Sequence, residues 1–102
     1  MKNLDLNTVY TFKLISGEEI TAKIANKDSD THIEVKQPIS MVIGPQGLQM
    51  MPSLFSANPD KNVKLNINSI AMVAEARDDV SVKYVEATTG ITTPPPKQII
   101  TG

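Results

Sequence analysis

Apolar and polar residues alternate over Val9-Tyr10-Thr11-Phe12-Lys13-Leu14-Ile15, which puts Tyr10, Phe12 and Leu14 on one face and predicts a first strand. Ser16-Gly17-Glu18 supplies a tight turn, after which Ile20, Ala22 and Ile24 resume the alternation with Thr21 and Lys23 outward. The two segments form a hairpin closed at Gly17, where positive φ costs least. A polar run from Asn26 to Thr31 precedes Ile33, Val35, Ile39, Met41 and Ile43, all on one parity, which predicts a long third strand. Pro38 cannot donate to a ladder, so that strand must bend or lie at an edge there.

Gly44-Pro45-Gln46-Gly47 ends the third strand, and Leu48 to Phe55 reads as a fourth extended segment interrupted by Pro52. Val63, Leu65 and Ile67 then share odd parity, whereas Ile70, Met72 and Ala74 share even parity. A one-residue slip sends every side chain to the opposite face, so a turn or bulge belongs near Asn68-Ser69. After Arg77-Asp78-Asp79, the alternation of Val80, Val82 and Tyr84 predicts a last strand. Residues 1–8 read as an N-terminal arm or short helix, 9–88 as the domain, and 89–102, with three consecutive prolines, as a flexible tail. A strongly bent sheet of five to seven short strands closes most easily as a small barrel, so the expected fold is mainly all-β.

Composition agrees with strands: the 102 residues include 8 Val, 11 Ile and 9 Thr but only 6 Leu. Two Tyr, two Phe and no Trp leave an aliphatic core with Met as filler and few platforms for base stacking. The formal net charge of −1 gives no global attraction for polyanions, so any anion site must be local. With no Cys and one His, thiolate and multi-His metal centres are excluded, and no cofactor is expected. No apolar run reaches the roughly 18 residues of a membrane span, and no signal peptide is visible, so no membrane partner and a cytoplasmic location are expected.

The arrangement Leu14-x-x-Gly17-x-x-Ile20-x-Ala22-x-Ile24, continuing through Asp28, His32 and Val35, resembles the first signature of the Sm and Sm-like (LSm) proteins, the family that includes bacterial Hfq. Gly17 and Asp28 match that signature, Ala22 stands for its second Gly, and His32 stands for its Asn. Leu65-Asn66-Ile67-Asn68-Ser69-Ile70 resembles the second signature, with Asn66 in place of Arg. The Ser-Gly-Glu-Glu and Asn-Ser-Ile segments are similar to those of compact cyanophage members, which implies a phage source and the host cytoplasm.

The resemblance implies a five-stranded Sm-like (SH3-type) barrel, extended here by a further strand, that self-associates into a homo-oligomeric ring of five to seven subunits. It also implies binding of single-stranded RNA or DNA in nucleic-acid processing. Carried over, the nucleic-acid-binding roles fall on Asp28, Asp30, His32 and Asn66, and Asn68 adds a second amide able to read base edges. The alternative is a phage structural or adaptor assembly module without nucleic-acid binding, using strand edges and the Pro-rich tail.

Each of these residues also has a plainer role. His32 beside an acidic turn suits a solvated strand start, and Asn66 and Asn68 suit a tight turn for backbone reasons. Lys13, Lys23, Lys27, Lys36 and Lys64 would line a phosphate track if repeated around a ring. Interleaved with Glu18, Glu19, Asp30 and Glu34, they equally make a mixed surface that blunts edge strands. Asp28-x-Asp30 lacks the Gly and distal Glu of a calcium loop. Glu18-Glu19 and Asp78-Asp79 are neighbours facing opposite ways, and no nucleophile elbow, phosphate loop or triad is present, so no enzyme activity is expected.

Overall fold

The computed structural model describes residues 3–27 and 29–89. Asp28 and residues 90–102, including the Pro-rich segment, lie outside the described residues. The predicted hairpin is present: β1 (Val9–Leu14) pairs antiparallel with β2 (Glu19–Asn26), opposing Phe12 to Ile20 and Tyr10 to Ala22. Gly17 at the turn has φ +93°, and Leu14 and Glu18 close it through a 2.8 Å backbone bond.

The third strand, β3 (His32–Gly44), is long and divided in function. Its first half pairs with β5 (Val63–Asn66), its second half with β4 (Gly47–Pro52), and both halves pair with β2. Between Lys36 and Ile39 the register against β2 gains a residue, and Gln37 has φ +37°. This bulge at Gln37-Pro38 corrects the single-parity expectation: Ile33 and Val35 enter one core, whereas Ile39 and Met41 are turned to the opposite face.

The phase flip after β5 is a 3-10 turn, η1 (Ile67–Ser69), in which the Asn66 side chain accepts from the Asn68 amide at 2.9 Å. The chain then enters β6 (Ile70–Glu75), which pairs with β1. The hydrogen-bonded order is β4-β3-β2-β1-β6, with β5 branching from β3. Among the described residues β6 pairs with neither β4 nor β5, so the sheet is open, and β4, β5 and β6 each have one unpaired edge.

That open sheet corrects the small Sm-like barrel. A second correction concerns the chain end, where α1 (Asp78–Thr89), a 12-residue helix, replaces the strand expected over Val80 to Tyr84. Val80 and Tyr84 are four residues apart and both bury on the sheet, while Val82 is 51% exposed, so the helical period wins over the alternation. Asp78 and Asp79 in the first turn complement the helix dipole, and Asp79 Oδ1 accepts from the Val80 amide at 2.9 Å. Residues 3–8 form turns, not a helix. The fold is therefore mixed α/β rather than all-β.

Both sheet faces are covered near the centre. Tyr10, Phe12, Ile20, Ala22, Ile24, Ile33 and Val35 form one core, over which β5, η1 and β6 fold Val63, Leu65, Ile67, Ile70 and Val73. On the other face Val80 and Tyr84 of α1 pack with Val9, Ile39, Met41 and Ala76. Each fully buried aliphatic or aromatic side chain contributes about 1.5–3 kcal/mol, so the first core, which holds Phe12, Ile24, Ile33 and Val35, dominates.

Candidate docking groove and cationic cleft

Of the sequence-predicted residues, Asp30, His32, Asn66 and Asn68 are described, and His32 opens β3. His32 and Asn66 are direct register partners, and the Ile67 amide reaches the Thr31 carbonyl at 2.9 Å. Asp30 is exposed in the β2–β3 loop, and Asn68 is exposed on η1. His32 Nδ1 lies 2.8 Å from Thr31 Oγ1, and the Asn66 carbonyl oxygen is occupied by its cap, so both engage local structure. With the sheet open, the structure lacks the closed barrel on which the ring of five to seven subunits and its RNA-binding pore were expected. The Sm-like, ring-forming reading is thereby corrected.

A better-formed concavity lies at the middle of β3. The bulge at Gln37-Pro38, the loop after β4 and the last turns of α1 enclose an apolar groove of about 270 Å³, walled by Pro38, Pro52 and Pro59 and by Leu54, Phe55 and Ala87. The loop is tied down by backbone chemistry. Ser53 N donates to Pro38 O at 3.0 Å, Gln37 Nε2 donates to Pro59 O at 2.8 Å, and Asn58 makes an Asx turn to the Asp60 amide at 2.9 Å. Prolines with preset φ and these bonds hold the walls, yet Phe55 at the rim is 80% exposed.

Next to the groove lies a second cleft of about 280 Å³ that shares Gln37, Pro59 and Lys61 with it. Lys23 from β2, Lys36 from β3 and Lys61 from the loop line this cleft beside Asp60, Asn62 and the end of α1. Among the described residues, none of those three ammonium groups forms an ion pair or hydrogen bond. The Tyr84 hydroxyl forms the cleft floor, accepting from the Lys23 amide at 3.1 Å and donating to the Lys36 carbonyl. Burial pushes its pKa above the usual value near 10, and the Lys23 bond offsets part of that rise.

Sequence pattern alone did not point to this site, because residues 36–63 and 84–89 meet only through the bulge and the helix. The one local signal is an aromatic residue, Phe55, in a loop bounded by Pro52 and Pro59, where nothing in the alternation gives it a core to enter. A second apolar surface lies on the β3–β4 arm, where Val42, Ile43, Leu48 and Met51 are exposed. No helix among the described residues is long and apolar enough to cross a membrane. No family model matches the chain, and no curated protein is significantly similar to it.

Proposed function

We propose that this protein is a non-catalytic peptide-binding module that holds an apolar side chain of a partner protein in the groove beside Phe55. The observation that carries the reading is a groove with fixed walls and an exposed aromatic rim. Small ligands and peptide anchors favour concave, apolar, preformed sites, because little ordering entropy is lost when the walls are already held. Phe55 supplies a large contact area, and its exposure contributes little to the folded state.

The test is an NMR titration with capped tripeptides carrying a central Leu, Phe or Pro. The expected result is shifts confined to Ile39, Leu54, Phe55 and Ala87, lost in Phe55→Ser while the thermal midpoint is unchanged. Shifts scattered over the surface, or equal binding by Phe55→Ser, overturn the reading. So does concentration-dependent sedimentation that Phe55→Ser abolishes, since the groove would then be a contact between copies of this chain.

A further inference from the structure

We infer that the cationic cleft beside the groove binds a phosphoryl group, carried by a phosphorylated residue of the same docked segment. The inference rests on the groove reading for its carrier and on the cleft's own charge for its chemistry. Three lysines from three separate elements converge on a small volume in a chain whose net charge is −1. Asp60 cancels one of them, leaving +2.

Lysines near the end of α1 have an ordinary role, which is to offset the partial charge of the last helical carbonyls. The helix carries no basic residue in its own last turn. That partial charge amounts to about −0.5, so it leaves roughly +1.5 without a partner. A monocarboxylate would neutralise less than this excess, whereas a phosphate monoester at neutral pH brings about −1.5 to −2 and three strong acceptor oxygens. Ammonium groups bind phosphate as point charges without the planar fork that Arg offers carboxylates. The other polar groups are already committed: Thr88 Oγ1 donates to Tyr84 O at 2.8 Å, and Gln37 Nε2 to Pro59 O. The free donors in the cleft are thus chiefly the three ammonium groups.

Position adds the link to the groove. Gln37, Pro59 and Lys61 border both concavities, so one docked segment can place an apolar anchor in the groove and an anion in the cleft.

The experiment uses inorganic phosphate, with acetate at matched ionic strength as control, and a pair of groove-binding tripeptides with and without a neighbouring phosphoserine. Phosphate is expected to shift the amides of Lys23, Lys36, Lys61 and Asn62, while acetate does not. The phosphoserine probe is expected to bind about tenfold more tightly than its unphosphorylated twin. In Lys23→Gln/Lys36→Gln, neither of which borders the groove, that advantage disappears while the unphosphorylated probe binds as before. An unphosphorylated probe that binds with no gain from phosphate overturns the cleft proposal and leaves the groove reading standing. Inorganic phosphate that binds at the lysines while neither peptide does overturns the groove reading and the phosphopeptide carrier with it. If the double variant lowers the thermal midpoint without changing phosphate binding, the lysines serve the helix end alone and the proposal fails.

Discussion

The Tyr84 hydroxyl donates to the backbone carbonyl of Lys36, joining the second turn of α1 to the strand that bulges beneath it. Lys36 and Lys23 are register partners beside the bulge, and the same hydroxyl accepts from the Lys23 amide at 3.1 Å. The phenol therefore serves backbone groups at the place where the ladder is irregular, and its ring, 1% exposed, fills the core under the helix. One side chain docks the helix, supports the bulge and floors the cationic cleft.

Tyr84→Phe keeps the ring and removes both hydrogen bonds, leaving a buried donor and acceptor near the bulge to find other partners. The expected loss is about 1–3 kcal/mol in urea unfolding, with helix content retained in circular dichroism. Tyr84→Ala also opens a cavity and is expected to cost about 3–5 kcal/mol.

Alkaline pH tests the same residue differently. Burial raises the Tyr84 pKa above 10 in the folded chain, so the folded state keeps a proton that the unfolded state releases. This contribution is complete below pH 10 and is lost as pH rises through the folded-state value. Stability measured by urea midpoint should fall above pH 10, and Tyr84→Phe should flatten that part of the decline.

Thr21 points the other way. Its side chain is fully buried and its Oγ1 has no hydrogen-bond partner, an unrepaid desolvation cost. Thr21→Val retains the β-branched shape and removes the hydroxyl, and is expected to stabilise the fold by about 1 kcal/mol in thermal unfolding. A destabilised variant would show that the hydroxyl finds a partner in solution.

The first hairpin was legible because Tyr10, Phe12, Ile20 and Ile24 keep one period up to a turn that Gly17 marks. The turn at Asn66-Ser69 was legible because two apolar runs of opposite parity cannot belong to one straight strand. The helix was not, since Val80, Val82 and Tyr84 fit an alternation of two while Val80 and Tyr84 alone fit a helical turn, and only packing reveals that Val82 faces solvent. The short motifs shared with Sm-like proteins describe the turns around β2 and η1, and such turns do not determine whether a sheet closes. The groove was illegible for a related reason: its walls come from a loop and a helix end whose meeting depends on where β3 bends.

The extra residue at Gln37-Pro38 also sets how this chain can tolerate changes of length. Deleting Gln37 would absorb the extra residue and leave Ile39 and Met41 on the helix side of a regular ladder, at the cost of the Gln37 side-chain bond that ties down the loop at Pro59. An insertion among Asn58 to Lys61 would lengthen an exposed loop at small entropic cost. Residue 37 is thus the phase marker that lets apolar positions of one parity serve both sides of one wall: the same sequence paired without the bulge would send Ile39 and Met41 to the side already filled by Phe12, Ile24 and Val35.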